Sequence, residues 1–98
     1  MFRIEQTDEF AGWLSGLNDS RARTRIQARI DRLALGNPGD VKPVGSGVSE
    51  MRIDYGPGYR VYYFRRDRVV IVLLAGGDKR TQKQDIARAI ALAESEKE

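Results

Sequence analysis

The sequence predicts an α+β fold: two N-terminal antiparallel helices and a C-terminal helix packed on a mainly antiparallel four-stranded twisted sheet. Three observations carry the expectation. Apolar residues recur at helical spacing twice before residue 34, the pattern from Val48 to Ala75 changes to strand-like alternation, and a last helical set follows two glycines.

The elements follow in order. Phe2 to Glu5 reads as a short strand. Thr7 can then cap a helix whose first turn holds Asp8 and Glu9, the charges that the positive helix end prefers. Phe10, Trp13, Leu14 and Leu17 form its apolar stripe, which is expected to bury Trp13 between the helix pair and the sheet. After Asn18 to Ser20, a second helix aligns Ala22, Ile26, Ile30 and Leu33, with Arg21, Arg25, Arg29 and Arg32 on or beside the opposite faces, and Gly36 with Pro38 stops it. The short connection makes the two helices antiparallel.

From Val48, Ser49, Met51 and Ile53 share one face and Glu50, Arg52 and Asp54 the other, as in a half-buried strand with a charged face. The turn YGPG at 55–58 leads to a strand at Tyr59 to Arg66, and Arg65 to Arg68 make a second turn. Val69 to Ala75 is uninterrupted and β-branched, the pattern of a central strand covered on both faces. Gly76 and Gly77 end it. Thr81 with Gln84 has capping-box spacing and opens a helix whose apolar set is Ile86, Ala89, Ile90 and Ala93. In this arrangement the helices cover one face of the sheet and the charged positions keep the other.

Ninety-eight residues bound the chain to one domain, 1–98, with room for one modest core. Without Cys or His it has neither a thiolate nucleophile nor the usual metal ligand and general base. No cofactor or metal is expected. The segment MFRIEQTDEF has no apolar run after its basic residue, and Val69 to Ala75 is far shorter than the roughly 20 residues of a membrane span, so a soluble cytoplasmic protein with no membrane partner is expected. Glu94, Glu96 and Glu98 gather in the tail with Lys97, leaving 16 basic against 11 acidic residues in 1–93. That balance favours anionic partners.

Arg52, Arg60 and Lys79 lie in three segments that a meander brings together, with Arg52 and Arg60 flanking one hairpin and Lys79 in the loop GGDKRT. Gly76 and Gly77 would let the backbone approach a phosphate, and the following helix start adds free N–H groups. The alternative is that these glycines only turn the chain. Tyr55 and Tyr62 are the tyrosines expected to be exposed, where they can stack RNA bases beside Arg80, whereas Tyr59 or Tyr63 is expected to pack in the core. The arginines at 21, 25, 29 and 32 read either as a solvated helix face or as a contact for ribosomal RNA.

The stretch from Gly47 to Ile86, most of all MRIDYGPGYRVYY at 51–63 and LLAGGDKRTQ at 73–82, resembles the HigB-like branch of the RelE/ParE superfamily of toxins. The resemblance implies a RelE-like fold and the toxin of a type II toxin–antitoxin system. Such a toxin enters the ribosomal A site and cuts mRNA without a metal. It is neutralised by a HigA-like helix-turn-helix antitoxin, and the complex binds operator DNA. By the same resemblance Arg60 stabilises the phosphate, Arg52 is a basic strand residue, and Lys79 assists the leaving 5′-oxygen. Glu50 stands where RelE-like members have a second strand lysine, Asp85 where they have a late tyrosine, and no C-terminal histidine is present. The base is therefore either Glu50 or a group of the ribosome. Two other functions share the fold: a ParE-like gyrase inhibitor that is not a nuclease, and a non-catalytic RNA- or protein-binding module.

Overall fold

The computed structural model describes residues 1–97. The chain runs β1 (Arg3–Gln6), α1 (Asp8–Ser15), α2 (Ser20–Ala34), β2 (Val41–Gly45), β3 (Val48–Ile53), β4 (Tyr59–Arg65), β5 (Val70–Asp78), a 3-10 turn (Lys79–Thr81) and α3 (Gln82–Glu96). The sheet order is β1-β5-β4-β3-β2, with β1 parallel to β5 and every other pair antiparallel. The α+β class, the helix pair and the interior position of the VVIVLLA run are as the sequence predicts.

Two expectations are corrected. The sheet has five strands, not four, because Val41–Gly45 adds an edge strand to β3. Pro43 and a register irregularity before Gly45 hid it. Proline cannot donate to a ladder and is tolerated at a sheet edge, where no alternation is imposed on the outer side. The larger correction concerns the faces. α1 and α2 pack on one, where Phe10, Ile26, Ile30 and Leu33 meet Met51, Val61, Ile71 and Leu73. α3 covers the other, setting Ala89 and Ala93 against Tyr62, Phe64, Val72 and Leu74. Every residue of β4 from Val61 to Phe64 is buried, so both of its alternating sets are core. The small alanines of α3 allow close approach to the bulky β4 side chains.

Local chemistry sets the positions of the helices. Thr7 Oγ1 accepts from Phe10 N (3.0 Å) as the cap of α1 and donates to Leu74 O (2.7 Å), tying the helix start to β5. Asp19 caps α2 through Arg21 N and Ala22 N. The register of β4 on β5 passes from Tyr63↔Leu73 to Tyr62↔Ala75, which leaves Leu74 as the extra residue of a bulge. The bulge resets the alternation for the last residues of β5. Gly76 and Gly77 lie inside β5, paired with Val61 and Arg60, rather than ending it.

Those two glycines serve opposite faces. A Cβ on Gly76 would lie inside the Trp13 ring, and one on Gly77 inside the Asp85 carboxylate. Trp13 is half-buried, less enclosed than expected, because its indole lies over Gly76 beside Phe10 and Tyr59 at the margin of the core.

Gly76→Ala should therefore destabilise the fold by about 2 kcal/mol, as overpacking does, and lower the melting temperature by roughly 10 °C. In a Trp13→Ala background the same substitution should cost much less. Additive losses in a thermal double-mutant cycle would show that the ring is not what excludes a side chain at Gly76.

Candidate functional site

At one end of the sheet, Arg52 of β3 stands opposite Arg60 of β4, and Arg60 stands opposite Gly77 of β5. This row belongs to the face that α3 covers, but α3 begins only at Gln82 and leaves the Arg52–Arg60 end of the row open. The result is a groove of about 490 Å³ lined by Arg52, Arg60 and Lys79 with Asp40, Asp54 and the turn Gly56–Gly58. The three basic residues singled out in the sequence share this groove.

Their environments differ. Arg60 is half-buried, and its Nη1 donates to Gly58 O (2.6 Å). Its Nε is buried and has no partner among the described residues. Gly58 has φ +82, and a Cβ there would strike the Arg60 guanidinium, so the turn closes around that group only with glycine. Lys79 is exposed, with no carboxylate within ion-pair distance among the described residues. Arg52 is instead engaged: Nη2 and Nε both reach Asp40 Oδ1 (2.7 and 3.2 Å), which pushes its pKa further up. Asp40 was invisible in the sequence, since no spacing rule links it to Arg52 across twelve residues.

Glu50 lies one row inward from Arg52 on the same face and is fully buried. Its Oε2 accepts from the Tyr62 hydroxyl (3.0 Å) and from Gln82 Nε2 (2.9 Å), while Oε1 has no partner among the described residues. Tyr62, expected to be exposed, is fully enclosed. The cause is α3, which turns the supposed charged face into a second core. Burial first, and then the Glu50 carboxylate, raise the pKa of the Tyr62 hydroxyl far above the ordinary tyrosine value. Neither residue lines the groove. Tyr55 is half-buried, with its hydroxyl on Asp19 Oδ2 (3.3 Å) and the Arg25 guanidinium 4.6 Å from its ring centroid. Tyr59 and Tyr63 are buried, in line with the expectation that one of them packs.

The GGDKRT loop does not form the phosphate cradle that its glycines suggested. Asp78 accepts from Arg80 N (2.8 Å) and from Arg80 Nη2 (2.9 Å), so Arg80 is folded back onto the strand end and holds the Asp78 carboxyl below its usual range. Thr81 donates to Asp85 Oδ2 (2.6 Å) and makes no cap, so the expected Thr81–Gln84 capping box is absent. The Asp85 carboxylate occupies the space above Gly77 where an anion would have to enter. The positive charge of this end thus rests on side chains, above all Arg60 and Lys79.

A family model described as phage derived protein Gp49-like (DUF891) matches residues 12–98. An uncharacterised protein of Haemophilus influenzae is 50% identical over 92 residues, covering 94% of this chain and 93% of that protein. The matched span includes the whole groove. None of the described helices is long and apolar enough to cross a membrane.

The Glu50–Tyr62 pair makes a stability prediction. Tyr62→Phe leaves the buried carboxylate with one donor fewer and should cost about 1–3 kcal/mol. Glu50→Leu should cost a similar amount by orphaning the tyrosine hydroxyl. The double variant Glu50→Leu/Tyr62→Phe removes both polar groups and should return close to wild-type stability. Chemical denaturation of the four proteins checks this, and a double variant weaker than either single one would show that the two groups act separately.

Proposed function

The chain belongs to the phage-derived Gp49-like family, which is associated with toxin–antitoxin systems, and from that premise we propose that it is a toxin that halts translation by cutting mRNA on the ribosome. In this reading it acts in the cytoplasm without a metal. A HigA-like helix-turn-helix antitoxin restrains it, and the pair contacts operator DNA through that antitoxin. The observation that carries the reading is the placement of Arg60: a guanidinium fixed by the Gly58 carbonyl in an open groove, beside Lys79, which has no carboxylate within ion-pair distance among the described residues.

The chemistry is transesterification. The ribose 2′-oxygen loses its proton and bonds to the adjacent phosphorus, the bond from phosphorus to the 5′-oxygen breaks, and that oxygen takes up a proton. The products are a 2′,3′-cyclic phosphate and a 5′-hydroxyl. Negative charge grows on the phosphate oxygens between these events, where Arg60 meets it, and then on the 5′-oxygen, where the Lys79 ammonium donates. Arg52, held by Asp40, adds charge and orients the substrate. Glu50 acts on the site only through Tyr62 and Gln82, because its carboxylate is sealed beneath α3. In this reading a group of the ribosome takes the 2′-hydroxyl proton. Tyr55, stacked under Arg25, and the exposed Arg80 serve in this reading as RNA contacts outside the groove lining.

The withdrawal of Glu50 from the groove favours a second reading, in which the groove binds RNA or a protein without cleaving, as a ParE-like inhibitor or a plain binding module would. The products separate the two, since only the nuclease yields 5′-hydroxyl mRNA fragments.

Arg60→Ala should lower single-turnover cleavage on ribosomes by roughly two to three orders of magnitude, the effect of losing one donor worth about 3–4 kcal/mol in the transition state. Ribosome binding and the melting curve should change little. Arg60→Lys should recover only part of the rate, since it keeps charge without the planar fork. Full cleavage by a folded Arg60→Ala protein would remove Arg60 from the chemistry.

A further inference from the structure

The ion pairs divide the positive charge of this surface unevenly. Glu5 takes Arg3 and Arg66, Asp40 takes Arg52, Asp78 takes Arg80 and Glu9 takes Arg88. Helix α2 carries five arginines against a single aspartate, and among the described residues none of those arginines has a carboxylate within ion-pair distance. Arg21, Arg25, Arg29 and Arg32 form one stripe along the helix, about 16 Å long at 1.5 Å per residue. Like charges four residues apart destabilise a helix. A helix face that is merely solvated is better served by mixed signs, so the stripe is maintained against its own repulsion. The pKa of Arg29 is depressed by burial and by Arg32.

The stripe is fixed in place rather than free in solvent. Ala22, Ile26, Ile30 and Leu33 anchor the adjacent face of α2 in the core. Arg29 donates to Arg52 O (2.7 Å) and Pro38 O (3.0 Å), which locks the helix to the end of β3. Arg25 lies over the Tyr55 ring, and Arg21, Arg25 and Arg32 remain exposed. Beside them runs a groove of about 320 Å³ whose walls include Arg25, Arg29, Arg32, Ile53 and Asp54. Ile53 and Asp54 are also walls of the groove that holds Arg52, Arg60 and Lys79. The two grooves therefore meet at the end of β3.

We infer that the two grooves form one path for the phosphate backbone of a single RNA strand. The strand runs from the Arg60–Lys79 cluster across Ile53–Asp54 and onto the arginine stripe of α2. The inference extends the proposed function by assigning the strand beyond the scissile phosphate to a named surface. Exposed guanidinium groups on a rigid helix suit successive phosphates, and the planar Arg25–Tyr55 stack offers a platform for a base. The path turns from a sheet end onto a helix, which a flexible single strand can follow. A duplex, with a persistence length of roughly 150 base pairs, cannot. Asp54, exposed at the junction, is the carboxylate a phosphate must pass, and its removal should tighten binding.

The test uses the full chain and 5′-fluorescein oligouridylates of two lengths, a trinucleotide that fills only the cluster and an oligomer of about 12 nucleotides that also reaches α2. Anisotropy titrations at several salt concentrations compare wild type with the triple variant Arg21→Gln/Arg25→Gln/Arg32→Gln. The variant should fold normally, because the three side chains are exposed. Its affinity for the long oligomer should fall roughly tenfold, its affinity for the trinucleotide should not change, and its log–log salt slope should drop by about 2, three contacts at ~0.7 each. Asp54→Asn should bind the long oligomer more tightly than wild type. Unchanged affinity and slope in the folded triple variant would overturn the path, as would a polyglutamate peptide binding as tightly with the same dependence on the three arginines. Ribosomal cleavage distinguishes this from the functional reading: a chain that binds RNA through α2 but never cuts mRNA retains the path and defeats only the nuclease assignment.

Discussion

The buried carboxylate of Glu50 is the constraint on which the rest of this arrangement depends. Removing a carboxyl group from water is costly unless hydrogen-bond partners replace the lost hydration. Here one donor comes from the sheet, the Tyr62 hydroxyl, and one from the first turn of α3, the Gln82 amide. Glu50 therefore joins β3 and β4 to the start of α3. Since Gln82 reaches Glu50, α3 begins one row inside the sheet end; Asp85 of α3 closes over Gly77, and the Arg52–Arg60 end of the row stays open. A buried acidic residue thus defines the boundary between a sealed core and an open cationic groove.

Charge is partitioned around that boundary. Arg52, Arg80 and Arg88 are each matched by a carboxylate, whereas among the described residues Arg60 and Lys79 are not. Exposed pairs of this kind contribute little to stability, but they subtract charge locally and leave the uncompensated field in the groove. The turn at Gly58 fixes the Arg60 guanidinium, so in the proposed reaction little reorganisation is needed when a phosphate arrives. Lys79, on the exposed side, keeps the freedom that a leaving-group donor needs.

Much of the fold was legible in the sequence because period and capping chemistry carried it. Thr7 before Asp8 and Glu9, the 22–26–30–33 stripe, the YGPG turn and the VVIVLLA run each have a local physical signature, and each formed as read. The convergence of Arg52 and Arg60 also followed from hairpin register. What failed was the assignment of faces. Glu50 and Tyr62 sit at alternating positions with Arg52 and Arg60, so period two alone marks them as one polar face. It cannot register that a helix thirty residues later covers the middle of that face and stops short of its end. The fact that Tyr62 and Phe64 share it was the available hint. Asp40, the Thr81–Asp85 bond and the bulge at Leu74 depend on tertiary register, which no local spacing encodes. The glycines of GGDK read either as room for a phosphate or as a turn of the chain; they are room for Trp13 and Asp85.

The central claim is that Arg60 and Lys79 form the anion site while Glu50 and Tyr62 stay sealed from it. Proton–nitrogen correlation spectra that include the arginine Nε–H signals, recorded while an uncleavable 2′-deoxy dinucleotide is titrated in, test this most directly. The account predicts that the Arg60 Nε–H and the backbone amides of Gly58, Gly77 and Lys79 shift together on one binding curve, while the amides of Glu50, Tyr62 and Gln82 hold still. Shifts centred on Glu50 and Gln82, with the Arg60 Nε–H unmoved, would contradict it.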